Sequence, residues 1–178
     1  RGRSARLELR RGRDAAKEAM HVHDLLELWI HISIPLHRKA DKERRKPYIE
    51  KARALLAELS KSNTSSVVAM AAARLATTLA QLVGDMELGL YWLDRSRKAL
   101  TTEGRYDTVA LREYHAQRAF IFNTANDYKR GVLSARKVVE SCNPDSTDWF
   151  NAINVLLRFQ LKSGEYRRAA DTADLIDS

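Results

Sequence analysis

One short turn pattern recurs three times along the chain and constrains its fold more than any other feature. It consists of a Gly or Asn, an acid, an apolar or aromatic residue and, three residues further, a small residue. The three copies are GDMELG from Gly84, NDYKRG from Asn126 and GEYRRA from Gly164. They are 42 and 38 residues apart, which is an interval typical of stacked helix pairs.

Each residue of this pattern suits a junction between two helices. A Gly or Asn accepts the left-handed backbone that ends a helix, and an acid complements the positive end of the next helix. The apolar residue can pack back, and the small residue lets the second helix approach the first closely. The pattern therefore predicts antiparallel helices on either side of each turn.

Hydrophobic periodicity extends helices over almost the whole chain, and no stretch alternates as a strand would. We expect an all-α fold of about eight helices in antiparallel pairs. A basic N-terminal arm comes first, and the helical domain is residues 14–178. The arm is residues 1–13. The four predicted helix pairs are residues 14–60, 65–102, 107–142 and 146–176. Pro35 ends the first helix, and Pro47 fits the first position of the second. Only Arg74 is charged within residues 65–83, so the helix there should be the most buried.

At its turns the chain resembles the tetratricopeptide repeat (TPR) family, which is built from helix pairs with apolar and small residues at fixed places. The matching residues of the last unit are Ile153, Leu156, Gly164, Tyr166 and Ala169; those of the third are Ala119, Phe122, Tyr128 and Gly131; those of the second are Thr77, Gly84, Gly89 and Leu93. The departures are Leu157 at a small place, Gln160 and Ala80 at aromatic places, and Arg118 at an apolar place. The resemblance covers residues 65–176 best, and a nonspecific helical array is the alternative.

The resemblance implies a TPR-like right-handed superhelix, an α-solenoid, in which the first helix of each pair lines a concave groove. Transferring that role to this sequence selects Arg74, Thr78, Gln81, Glu113, Phe120, Asn123, Asn151, Asn154 and Arg158. Amides can pair with a peptide backbone, and guanidinium groups can pair with carboxylates. The family's clamp for acidic C-terminal peptides has no match here. The alternative is that these residues are simply solvated.

We therefore interpret the chain as a protein–protein interaction module that binds a protein or peptide partner in its groove. It could be a scaffold, an adaptor or the regulatory-sensor portion of a larger protein. The last helix carries an apolar stripe, Ala169, Ala170, Ala173 and Ile176, and repeat arrays need polar caps at their ends. We expect an exposed apolar edge there, open to further repeats, to a partner or to self-association.

The net charge of +8 is concentrated in two segments. Residues 1–13 carry six Arg against one acid, and residues 38–53 carry eight Lys or Arg against three acids. Such segments attract phosphate backbones, so nucleic-acid binding is the alternative function. Tyr48 is the one aromatic residue in either segment, which leaves little for base stacking.

Catalytic motifs are missing from the sequence. It contains no phosphate-binding glycine loop, nucleophile elbow or Cys-x2-Cys pair, so we expect neither enzyme activity nor a cofactor. His23, Glu27 and His31 share one helical face and could grip a metal, but a polar solvent-facing surface is the preferred interpretation. Cys142 has no second cysteine to pair with, and no leader or long apolar run is evident. We expect a cytoplasmic chain without membrane contact.

Overall fold

The structure, a computed structural model, describes residues 2–33 and 39–177. Within these ranges every regular element is an α-helix, which confirms the all-α prediction. The helices are α1 (Gly2–Ser33), α2 (Lys39–Ser60), α3 (Ser66–Val83), α4 (Met86–Thr102), α5 (Thr108–Thr124), α6 (Tyr128–Glu140), α7 (Thr147–Ser163) and α8 (Tyr166–Asp177).

The three recurring turns have the backbone that the sequence pattern predicts. Gly84, Asn126 and Gly164 follow α3, α5 and α7 in the left-handed region, with φ angles of 75°, 57° and 82°. Glycine adopts this conformation without steric cost, and Asn tolerates it better than most residues. The Gly84 N–H donates to the Ala80 carbonyl at 3.1 Å, so the last turn of α3 is closed by this bond.

Side-chain caps fix the starts of α3, α5 and α7. Ser65, Asp107 and Ser146 each accept a hydrogen bond from the backbone N–H three residues further, at 3.4, 2.9 and 3.1 Å. A cap of this kind is worth about 1 kcal/mol. These three helices, and α6 after Asp127, therefore begin where the sequence predicts.

The first two helices differ from their predicted bounds. The predicted arm, residues 1–13, belongs to α1 from Gly2 onward, and its Arg-rich composition favours a helix even without an apolar stripe. The prediction that α2 starts at Pro47 is wrong, because α2 begins at Lys39 and Pro47 lies inside it on an exposed face. The predicted end of the first helix at Pro35 falls outside the described residues.

Buried apolar side chains form two clusters along the chain. The larger cluster joins α1 to α5 and includes Leu56, Leu79 and Trp92, each fully buried. The smaller cluster joins α5, α6 and α7. Its buried members are Ala119, Val132, Ala135, Leu156 and Phe159. The core is therefore divided along the chain, and α6 packs against both α5 and α7.

Helix α3 has the largest number of buried residues among the described helices, as its composition predicts. Ala72 and Ala76 are fully buried in it. By length and composition alone α3 is the one described helix that could cross a membrane, but 56% of it is buried inside the protein. Core helices have the same properties, so this feature is weak evidence for a membrane span.

The small residues of the turn pattern lie at close contacts between helices. A Cβ placed on Gly89 would lie 3.0 Å from Ala80 Cβ in the preceding helix and 2.9 Å from Ile121 Cδ1 in α5. A Cβ on Gly131 would lie only 2.0 Å from Phe159 Cε1 in α7. Gly131 therefore seats α6 against the next helix pair, whereas the pattern predicted close approach within its own pair.

Two polar contacts tie the connections to the helices. Arg95 in α4 donates to the Ser60 carbonyl at the end of α2, at 2.8 Å, where a cation complements the helix dipole. The Ser66 N–H and hydroxyl donate to Glu103, at 2.8 and 2.5 Å. These bonds lower the pKa of Glu103 below its usual value.

Candidate functional site

Eight of the nine predicted groove residues line two concavities. The first has a volume of about 320 Å³ and is lined by Arg74, Thr78 and Gln81 among others. The second has a volume of about 480 Å³, and the predicted residues in its wall are Glu113, Phe120, Asn123, Asn151 and Arg158. Asn154 is exposed on α7 and lines neither concavity. That these residues bind a ligand stays a prediction.

The first concavity lies among α1, α2, α3 and α5. Its wall is formed by Trp29, Ile32, Ser33, Arg45, Arg74, Thr77, Thr78, Gln81, Leu82 and Gln117. The Arg74 guanidinium lies 4.0 Å from the centre of the Trp29 ring. Trp29 Nε1 donates to Thr78 Oγ1 at 3.1 Å, which fixes the ring beneath the cation.

The second concavity lies between α5 and α7, with α6 as its floor. Four small or apolar residues and one aromatic make the base: Ala119, Ala135, Val138, Cys142 and Phe159. Phe120 stands at the wall and is 44% exposed. An exposed aromatic side chain above an apolar base forms an exposed apolar patch, and such patches are typical of interaction sites.

The rim of the second concavity is polar. Arg112 on α5 and Asp148 on α7 form an ion pair at 3.0 Å across it. The side chains of Asn123, Asn151 and Arg158 make no hydrogen bond or ion pair within the described part of the chain. Their donors and acceptors are therefore available to a ligand in the concavity.

A ridge on α5 separates the two concavities. Gln117 lines the first and Glu113 the second, and Gln117 Nε2 donates to Glu113 Oε1 at 2.8 Å. The predicted residues thus do not form one uninterrupted surface. They lie in two neighbouring depressions on either side of this ridge.

A buried tyrosine on α5 and its polar partners hold α5 against α4. The Tyr114 hydroxyl donates to Asp94 of α4 and accepts from Arg118 at 2.6 Å. Burial, followed by the bond to Asp94, raises the pKa of Tyr114. Arg118, which departs from the family pattern, has its guanidinium 5.6 Å from the Phe122 ring centre. Burial and the nearby Arg118 charge lower the pKa of His115.

Sequence reasoning missed the floor of the second concavity and much of the wall of the first. Val138 and Cys142 come from α6 and the turn after it, and the family pattern assigns groove residues only to first helices. Trp29 and Arg45 come from the degenerate first unit. A small-residue face on α6, spaced four and then three residues apart at Gly131, Ala135 and Val138, is the sequence signal that could have indicated the floor.

The candidate metal ligands lie on the exposed part of α1. His23, Asp24 and Glu27 each offer one ligand atom within 4.8 Å of the others. His31 instead stacks on the Tyr48 ring at 4.5 Å and lies 3.9 Å from Glu27. The predicted set of His23, Glu27 and His31 is therefore not the group that the structure brings closest together.

The two basic segments lie partly outside what the structure describes. Residues 1 and 38 fall outside the described residues, as do the side chains of residues 2–7, 9 and 39–42. Arg10, Arg11 and Arg13 are exposed on α1 and form no ion pair among the described residues.

Comparison with known proteins finds no match among protein-family models, curated proteins or solved structures.

Proposed function

We propose that this chain is a protein-interaction module whose second concavity, between α5 and α7, binds an extended peptide of a partner protein. The supporting observation is the combination of an apolar base with a rim of unpaired polar groups. Ligand sites commonly combine an apolar lining with a few polar groups that fix orientation. The chemistry fits a peptide with an apolar side chain on the floor and an acidic group near Arg158.

The polar residues of the rim have different roles in the proposed binding. Asn123 and Asn151 carry both donors and acceptors, so they can pair with backbone N–H and C=O groups of a peptide of any sequence. The Arg158 guanidinium has no partner among the described residues, so it can form two parallel bonds to a carboxylate. Arg112 and Asp148 pair with each other across the rim, and their ion pair limits the site at one end.

We also infer that the helix pairs stack as a TPR-like right-handed superhelix, as part of a scaffold, adaptor or regulatory protein in the cytoplasm. The divided core and the contact of Gly131 with the following pair support this stacking. Small-angle X-ray scattering would test it, because an α-solenoid gives a longer maximum dimension than a compact bundle of the same mass. A profile fitted by a compact sphere would contradict the superhelix.

A displayed library of random peptides can test peptide binding directly. The library is selected against the purified chain, and enriched peptides are titrated by calorimetry. Arg158→Ala should weaken such a peptide by about 1–3 kcal/mol, or about 5- to 150-fold, through loss of charge-assisted bonds. Arg167→Ala is the matched control, because Arg167 is exposed on α8 and lines neither concavity.

The melting temperature of both variants should match that of the unmodified chain, since both side chains are exposed. Enriched peptides that bind equally to the Arg158→Ala variant would contradict the proposal. So would a selection that enriches no peptide over several rounds.

Nucleic-acid binding is the second candidate. It is favoured by Arg10, Arg11 and Arg13, which are exposed on α1 and form no ion pair within the part of the chain that the structure describes. If these residues contact phosphates, affinity for RNA or DNA should fall steeply between about 50 and 200 mM salt. Replacing the three Arg by Gln should flatten that dependence. Weak binding that the replacement leaves unchanged would favour the peptide-binding proposal.

A further inference from the structure

The first concavity has a chemistry of its own. Seven of its ten wall residues are polar: two guanidinium groups, three hydroxyls and two amides. None of the wall residues is acidic, although the chain contains 23 Asp and Glu. A wall of cationic and neutral groups without an acidic residue suits an anion better than a cation.

The Arg74 guanidinium is positioned in the wall by its stack on Trp29. It lies over the Trp29 ring at 4.0 Å, and the ring is fixed by its bond to Thr78. Within the described part of the chain Arg74 has no carboxylate partner. A guanidinium that stacks on an aromatic face keeps its N–H groups at the edge of the stack, where they can bind an anion.

Two hydroxyls in the same wall lack partners. Thr77 is 2% exposed, and its Oγ1 makes no hydrogen bond within the described part of the chain. Ser33 is partly buried, but its Oγ atom is buried and likewise has no hydrogen-bond partner there. Leaving a buried hydroxyl unpaired costs free energy, so a ligand that pairs with it gains stabilisation. Both side chains border the cavity that contains Arg74.

From this arrangement we propose that the first concavity binds a phosphomonoester. A phosphate dianion has three terminal oxygens, so it can accept bonds from guanidinium, hydroxyl and amide groups at once, whereas a carboxylate has two oxygens and one charge. The volume of about 320 Å³ accommodates the phosphate with a short organic group attached. The site is separate from the peptide concavity and does not depend on it.

Calorimetric titration in phosphate-free buffer tests the site directly. The probes are inorganic phosphate, glycerol 3-phosphate and a short phosphoserine peptide, with glycerol and the unphosphorylated peptide as neutral controls. We expect the phosphorylated probes to bind and the neutral ones not to bind. The affinities of the two organic probes are then compared. Tighter binding of glycerol 3-phosphate indicates a small-molecule ligand, and tighter binding of the phosphoserine peptide indicates a phosphorylated side chain. Binding should also change the fluorescence of Trp29, and Trp29→Phe should remove that change.

Matched variants identify the groups responsible. Arg74→Gln should weaken phosphate binding about tenfold or more, while Arg167→Gln on α8 should leave it unchanged. Thr77→Val keeps the shape of a buried Thr and removes its hydroxyl. Its control is Thr172→Val, since Thr172 is buried in α8 and donates to the Arg168 carbonyl.

The expected result is weaker binding for Thr77→Val and unchanged binding for Thr172→Val. The proposal is overturned if no phosphorylated probe binds up to about 10 mM, or if Arg74→Gln and Thr77→Val both bind as the unmodified chain does. Because both tests use a phosphate probe, their failure would leave the peptide-binding proposal unaffected.

Discussion

Replacing Gly131 by Ala would test the contact that joins α6 to α7. The new Cβ would lie 2.0 Å from Cε1 and 2.3 Å from Cδ1 of Phe159, whereas carbon atoms pack best at about 3.5–4.0 Å. The Phe159 ring is 5% exposed and meets the Tyr128 ring edge-on, with 6.1 Å between centroids. The added methyl group would therefore have to displace the Phe159 ring, which also borders the second concavity.

The expected magnitude follows from two opposing effects. Overpacking a filled core costs about 1–3 kcal/mol, and the higher helix propensity of Ala returns about 1 kcal/mol. We expect Gly131→Ala to lower the free energy of unfolding by about 0–2 kcal/mol. Gly12→Ala is the control, because Gly12 is exposed in α1 with nothing within 4 Å of an added Cβ. At position 12 the substitution therefore only adds the higher helix propensity of Ala, which should raise the free energy of unfolding.

Urea unfolding followed by circular dichroism would compare the two variants. They should differ by the overpacking cost, about 1–3 kcal/mol, because the propensity gain is common to both. Phe159→Leu in the Gly131→Ala background should recover part of the loss, because the smaller side chain relieves the clash. If Gly131→Ala were as stable as Gly12→Ala, the close contact between α6 and α7 would be refuted. The stacking of that pair on the next would then lack its main support.

Three further changes test other parts of the fold. Ala76→Asp should cost several kcal/mol by burying an unpaired charge, whereas Met70→Asp, at a residue 47% exposed in the same helix, should cost far less in a thermal melt. Arg95→Ala should cost about 1–3 kcal/mol in urea unfolding, because the Ser60 carbonyl loses a charged donor. The pKa of Glu103 is lowered in the folded state, so its contribution is present above its usual pKa of 4.5 and is lost as the pH falls through the folded value. Glu103→Gln should therefore flatten the stability–pH curve at acid pH.

The sequence was sufficient to predict most of the helical architecture after residue 65. The reason is local: Gly84, Asn126 and Gly164 adopt left-handed backbone for steric reasons, and Ser65 and Ser146 cap helices through their own hydroxyls. These signals act within a few residues and need no knowledge of the tertiary fold.

The prediction was weaker where a helix lacks such signals. In α1 and the start of α2 the chain is rich in Arg and Lys, residues that favour a helix without an apolar stripe. Pro47 is tolerated within α2 at an exposed position, although an interior Pro removes a backbone hydrogen bond. Both helices therefore start earlier than hydrophobic periodicity predicts.

The candidate site was only partly predictable, because a cavity is defined by elements that are distant in sequence. The family rule that the first helix of each pair lines the groove selected residues on α5 and α7. Most of these residues border a common concavity. It could not indicate the ridge formed by Gln117 and Glu113, since a side-chain contact within one helix depends on rotamers. Nor could it pair Arg74 with Trp29, which lies in a helix with a degenerate pattern.

The turn pattern and the second concavity are nevertheless connected through α6. Gly131 lets α6 sit directly against Phe159 of α7, and the residues four and seven positions further on the same face, Ala135 and Val138, then lie beneath the space between α5 and α7. A larger residue at position 131 would push α6 away from α7 and move that floor. The small residue that ends the turn pattern thus influences the depth of the concavity. The proposed peptide binding would therefore depend on the same contact that packs α6 against α7.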